Sequence, residues 1–184
     1  MYLETKRMIV RDFTVEDGNA LHDILGDAET MKNCEPAYSM EKTQRFLKEF
    51  CIDRQGGVAA VLKETQRVIG YILFAQQEAG IYEMGWFFNR HYWHKGYAYE
   101  ACHAVVEHAF SGLCAHKIFA ETIDGVKSIG LMKKIGMKQE GVQREQAKDG
   151  CGNWADLYFF GILRDEWEMS HNAKNELGWI SADS

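Results

Sequence analysis

Trp93-His94-Lys95-Gly96-Tyr97-Ala98 lies where one sequence period gives way to another. Upstream, Ile81 to Phe88 is a short apolar run of strand character. Downstream, Ala98, Ala101, Cys102, Val105, Ala109 and Phe110 recur at helical spacing, and Gly112 suits the helix end. The junction is therefore a loop feeding a helix N-terminus, where backbone N–H groups lack intrahelical partners and the helix dipole is positive. Gly96 lets the backbone approach a ligand closely, and Ala98 keeps the first turn small. Lys95, and His94 when protonated, add positive charge. These features predict a pyrophosphate cradle over Lys95 to Tyr99. The segment matches neither the Walker A pattern nor the GxGxxG of dinucleotide folds. By itself, Gly96 could equally be a turn glycine before a helix.

Outward from this junction the chain alternates periods. Lys6 to Phe13 reads as a first strand. Thr14 then caps a helix through about Leu25, with Glu16 and Asp17 in its acidic first turn. Ser39 caps a second helix whose Phe46, Leu47 and Phe50 form an apolar stripe. Val58 to Leu62, Val68 to Ala75 and Ile81 to Phe88 are separated by polar turns, which predicts an antiparallel meander. Beyond the helix at Ala98, Ile118 to Ile123 is a fifth strand and Lys127 to Ile135 a short helix closed by Gly136. Met137 to Glu145 and Ala155 to Leu163 form a last hairpin around Asp149-Gly150. The expected fold is α+β, with seven strands in one mostly antiparallel sheet and about four flanking helices.

At 184 residues, with 46% hydrophobic and 26% charged residues, one globular domain is expected. It should run to about Trp167, with residues 168–184 as a C-terminal tail. No apolar run reaches the roughly 18 residues needed to span a bilayer, and the start shows no signal-peptide core. No membrane association and a cytoplasmic location are expected. The five cysteines are scattered and form no CxxC pair, which favours reduced thiols over a disulfide framework or zinc site. His91-x-x-His94 lacks a further ligand at suitable spacing, so no metal is expected. A net charge of −6 argues against a general nucleic-acid binder.

Several motifs in register then carry a resemblance. Tyr82-Glu83-Met84-Gly85-Trp86, followed by Tyr92-Trp93-His94-Lys95-Gly96-Tyr97-Ala98-Tyr99-Glu100-Ala101, resembles motif A of the GNAT acetyltransferase superfamily in its RimJ/RimL-like branch. Lys127-Ser128 and Lys134 to Gly141 resemble the branch's second signature, N-x-x-S followed by E-K-L-G-F. Gly152 to Asp156 and Leu163 to Trp167 resemble its close, G-x-W-x-D and L-x-x-E-W. The similarity runs from about Thr5 to Trp167. Three departures stand out. Trp93 occupies the first position of the glycine motif, Gly125 replaces the asparagine of N-x-x-S, and Met132 stands where many relatives carry a proton-donating tyrosine.

The resemblance implies an acetyl-coenzyme A-dependent N-acetyltransferase whose fourth and fifth strands splay apart. The pantetheine arm would lie in the splay against the backbone of Trp86, Phe87 and Phe88. Trp93, His94, Lys95, Gly96, Tyr97, Ala98 and Tyr99 would hold the pyrophosphate, with Thr122, Asp124 and Lys127 also near the cofactor. Asp124 fits equally as a cap for the following helix. The amine would attack the thioester directly, with Glu83 as general base through a water and a backbone N–H near Trp86 or Phe87 on the oxyanion. Glu83 also fits a solvent-facing glutamate on an alternating strand. Ser128 is the candidate to hydrogen-bond the departing thiolate, or else a first-turn helix serine satisfying backbone donors. Tyr38, Trp154 and Asp156 would border the acceptor. Protein N-terminal α-amines and small-molecule amines both fit, and the sparse catalytic equipment leans toward the less basic α-amine. A homodimer is compatible with the sequence, and a non-catalytic acyl-CoA-binding sensor is the alternative function.

Overall fold

The computed structural model describes residues 1–180, with side chains through Asn172. The strands are β1 (Tyr2–Glu4), β2 (Met8–Asp12), β3 (Gly57–Leu62), β4 (Arg67–Glu78), β5 (Ile81–Phe88), β6 (Lys117–Thr122), β7 (Lys138–Lys148) and β8 (Trp154–Leu163). The α-helices are α1 (Gly18–Leu25), α2 (Ala28–Met31), α3 (Met40–Phe46), α4 (Tyr97–Ser111), α5 (Lys127–Ile135) and α6 (Arg164–Ile180). One sheet runs β1-β2-β3-β4-β5-β6-β8-β7, and only β5 and β6 pair in parallel.

The described residues thus hold eight strands where seven were expected, and six α-helices where about four were. The extra strand is short: Tyr2, Leu3 and Glu4 lie against Arg11, Val10 and Ile9, too few residues to show a period. The extra α2 is a four-residue turn capped by Asp27, whose Oδ1 accepts from the Thr30 amide at 2.8 Å. It has no room for a helical period. Helix α6 begins inside the L-x-x-E-W motif and runs on past Trp167, so its backbone has no break at the expected edge of the domain.

The caps behave as the side chains require. Ser39 Oγ accepts from the Lys42 amide, opening α3. Asp17 returns to the Thr14 amide at 2.8 Å and is clasped by both terminal nitrogens of Arg11. Gly136 ends α5 at φ 106°, a left-handed position that favours glycine.

The sheet's two faces are covered differently. On one, α4 and α5 press Ala101, Cys102, Val105, Phe110 and Met132 onto Met8, Ile72, Met84, Ile118 and Phe160. On the other, α1 and the π-helical segment Leu47–Ile52 that continues α3 bury Leu21, Ile24 and Leu47 against Ala59, Val61 and Tyr71. Phe119 and Phe159 are half-buried and join neither cluster. The α1–α3 layer therefore covers β2 to β5 and leaves the β6–β8 part of its face open.

Candidate active site

The gap in the sheet follows from register. β5 pairs with β6 only at Ile81, Tyr82 and Glu83, opposite Lys117, Ile118 and Phe119. Past Glu83, β5 continues against β4 alone while β6 continues against β8. Two strands that begin side by side therefore part. Backbone direction alternates along a strand, which tells which groups face the gap. The Asn89 amide donates to Ile69 of β4, and the Gly80 carbonyl accepts from His116 ahead of β6. On that alternation Gly85 and Phe87 are paired to β4, whereas Trp86 and Phe88 turn amide and carbonyl toward the gap. The Phe88 carbonyl is taken at 2.6 Å by the indole N–H of Trp93. The Trp86 amide and carbonyl remain, as does the Phe88 amide.

The loop that crosses the end of β5 is shaped by two left-handed residues, His94 at φ 60° and Gly96 at φ 79°. Gly96 is the N-cap of α4, whose first intrahelical bond runs from Glu100 N–H to the Gly96 carbonyl. Among the described residues the amides of Lys95 to Tyr99 have no acceptor, five donors at the positive end of a 15-residue helix. This donor set fits a pyrophosphate. Cations surround it: Lys127 Nζ lies 4.9 Å from the Trp93 ring centre, Lys134 Nζ 4.5 Å from that of Tyr99. Lys95 Nζ donates to the His91 carbonyl.

A clamp from the sheet edge holds this loop. Glu100 accepts from Thr5 Oγ1 at 2.7 Å, the Arg7 amide at 2.7 Å and Arg7 Nε at 2.6 Å. Arg7 in turn donates to the Lys95 carbonyl at 2.8 Å and covers the Tyr97 ring. Burial acts to raise the Glu100 pKa, but the Thr5 and Arg7 bonds outweigh it and hold the carboxyl below its usual range. Arg7 carries no sequence signal for this role, because its partner is 93 positions away.

Around the gap the candidate catalytic groups separate by face. Glu83 projects on the α1–α3 side, half-buried, and accepts from Gln77 Nε2 at 2.6 Å. Ser128 lies in the first turn of α5, on the opposite side, and among the described residues its hydroxyl has no hydrogen-bond partner. Asp124 caps the start of α5: its Oδ1 accepts from the Val126 and Lys127 amides, each at 2.9 Å. Thr122 Oγ1 accepts from the Asp124 amide. At Gly125 an added Cβ would make only ordinary contact with the Tyr158 ring, 3.9 Å from its hydroxyl. Met132 is buried in the core.

On the acceptor side the structure brings Tyr38 together with residues the sequence did not single out. The Tyr38 hydroxyl donates to Glu35 at 2.5 Å, and Lys42 reaches the other Glu35 oxygen at 2.7 Å. Burial and the Glu35 bond push the Tyr38 phenol upward. Partial burial first, then the charge of Glu35, push the Cys34 thiol above its usual range. The β7–β8 hairpin folds back over this region, its Gly150 amide donating to the Lys32 carbonyl at 2.8 Å. Asp156 is used within that hairpin, accepting from the Glu145 amide where the β7–β8 register slips. Trp154 stands at the hairpin end, 61% exposed, under Lys148. Glu121 completes the rim. Burial and the charge of Glu83 raise its pKa. Strand pairing alone reveals it, since nothing local marks one glutamate of β6 as Glu83's neighbour.

A splayed sheet with a free β5 edge and an amide-lined helix start is the framework of an acyl-coenzyme A-dependent acyltransferase. Residues 7–138 match the family described as acetyltransferase (GNAT) domain, and the chain belongs to that family. It is 33% identical over 170 residues to the N-acetyltransferase YnaD of Bacillus subtilis, covering 91% of this chain and 99% of that one. A GNAT-family acetyltransferase from Bacillus anthracis superposes with a TM-score of 0.82 at 29% identity, covering 90% and 99% of the two chains. A spermidine N-acetyltransferase from Vibrio cholerae, in complex with CoA and spermine, superposes at 0.77 with 17% identity over 88% and 98%, a likeness of fold alone. The protein is an acetyl-CoA-dependent N-acetyltransferase.

Proposed function

We propose that this enzyme acetylates a primary amine, a peptide α-amine or a small molecule, by direct attack within a ternary complex, in the manner of the RimJ/RimL-like branch. The observation that carries the reading is the division of the gap. Glu83 lies on the α1–α3 face, while Ser128 and the cradle amides belong to the α4–α5 side. The two substrates can therefore enter from opposite faces and meet at the free edge of β5. Lys95 to Tyr99 hold the pyrophosphate through their amides. Glu83 removes a proton from the incoming ammonium through a water, leaving the free amine to attack. The Trp86 amide, aimed into the gap, stabilises the developing oxyanion; Phe87 is turned away toward β4. Ser128 donates its unengaged hydroxyl to the departing thiolate.

The test is thiol release from acetyl-CoA with a library of peptide and small-molecule amines, measured beside calorimetric binding of acetyl-CoA. Amine-dependent thiol release is expected. Tight cofactor binding with no release for any amine would remove the proposed mechanism.

A further inference from the structure

The helix does not orient every amide of the cradle. The carbonyls of Gly96, Tyr97 and Ala98 open the ladder of α4, the first of them accepting from the Glu100 amide at 3.1 Å. A peptide unit is planar and trans, so its N–H points opposite to its C=O. The helix thereby aims the amides of Tyr97, Ala98 and Tyr99 outward along its axis. The Lys95–Gly96 peptide lies outside that ladder. It sits in a bent stretch, after His94 at φ 60° and ahead of the Cα of Gly96 at φ 79°. Turning this peptide over would carry the φ of Gly96 to the negative side, which glycine adopts about as readily. Local geometry therefore leaves open which way the Gly96 N–H faces.

We propose that Arg7 is a positioning residue for acetyl-CoA: by holding the Lys95 carbonyl it turns the Gly96 N–H into the cradle, toward the pyrophosphate. This rests on the reading of Lys95 to Tyr99 as the pyrophosphate site. Arg7 Nη1 donates to the Lys95 carbonyl at 2.8 Å. The guanidinium is itself held. Its Nε donates to Glu100 at 2.6 Å, and its Cζ lies 4.3 Å from the centre of the Tyr97 ring. The Arg7 backbone is tied on both sides, its amide to Glu100 at 2.7 Å and its carbonyl to the Lys63 amide at 3.0 Å. Glu100 is fixed in turn by Thr5 Oγ1 at 2.7 Å. A cation on the carbonyl also polarises the peptide unit, which makes its N–H the stronger donor. The charge of Arg7 thus acts on the pyrophosphate through one peptide unit, at the one cradle carbonyl that Arg7 reaches and the helix ladder does not.

The experiment follows backbone amide resonances of the isotope-labelled full chain by NMR as acetyl-CoA is added, beside the calorimetric Kd, in the unaltered protein, Arg7→Met and Arg7→Lys. Methionine keeps a stem over Tyr97 but has no donor. Lysine keeps the ion pair with Glu100, which secures the fold, but lacks the fork that serves Glu100 and the Lys95 carbonyl together. In the unaltered protein acetyl-CoA should shift the Gly96 amide along with those of Tyr97 to Tyr99. In Arg7→Met the shifts at Tyr97 to Tyr99 should persist while that at Gly96 is lost, and Kd should rise roughly 10-fold. Arg7→Lys should behave as Arg7→Met does in both readouts. A Gly96 shift that survives both substitutions, an unchanged Kd, or full recovery by Arg7→Lys would overturn the inference while leaving the cradle intact. No response at Tyr97 to Tyr99 in the unaltered protein would instead strike the cradle itself, and the inference with it.

Discussion

Replacing Gly96 tests the cradle by two separable effects. The residue sits at φ 79°, where a side chain costs about 1–2 kcal/mol in backbone strain. Space around it is less of an obstacle, since a Cβ would meet only the Arg7 Nη2 tip, at 3.4 Å and on a flexible side chain. Gly96→Ala should therefore lose about 1–2 kcal/mol of stability, a fall in Tm of roughly 2–8 °C for a chain of this size. Gly96→Val should lose somewhat more, because a β-branched residue tolerates positive φ still less. The effect on the ligand is of another kind. Among the described residues the amides of Lys95 to Tyr99 have no acceptor, and the isopropyl group of valine would keep a pyrophosphate from reaching them. Calorimetry on folded Gly96→Val, checked by circular dichroism below its melting point, should show acetyl-CoA affinity reduced at least 10-fold, with Gly96→Ala between it and the parent. A folded Gly96→Val protein that binds acetyl-CoA with unchanged Kd would show that the pyrophosphate is held elsewhere.

Four further substitutions probe the same geometry. Glu83→Gln should keep acetyl-CoA affinity but lower turnover by about 10²–10⁴-fold, most at low pH where the amine is protonated, and a pH–rate profile superimposable on the parent would exclude Glu83. Ser128→Ala should slow turnover by roughly 10- to 100-fold at unchanged melting temperature, whereas Asp124→Ala, which removes the acceptor of two first-turn amides, should cost about 1 kcal/mol of stability. The native Glu100 carboxyl titrates below its unfolded value, so its contribution to stability is present above the unfolded pKa and lost as pH falls through the native one. Melting curves of Glu100→Gln across the acid range should therefore lack that part of the pH dependence.

Much of the fold could be read locally. The change from strand to helix spacing around Trp93 to Ala98, the caps at Ser39 and Gly136, and the hairpin turn at Asp149-Gly150 are short-range features, and each lies where the residues implied. The expected helix from Thr14 differs in its first turn, which is 3₁₀ through Asp17 before α1 begins. β1 and α2 escaped because three or four residues carry no period. Cys102, on the apolar stripe of its helix, is fully buried as that stripe required.

What the sequence by itself determined was the order of elements and the glycine-bearing loop ahead of a helix, because spacing, capping and backbone freedom depend on neighbours within a few residues. Tertiary structure decided what those elements make. Pairing of β5 with β6 stops at Glu83, and only that register turns Trp86 rather than Phe87 toward the gap. The Glu100–Arg7 clamp joins residues 93 positions apart, and Glu83 and Glu121 share a face only because β5 and β6 pair at Glu83 and Phe119. Such relations arise from long-range strand register and layer packing, which short spacings do not encode.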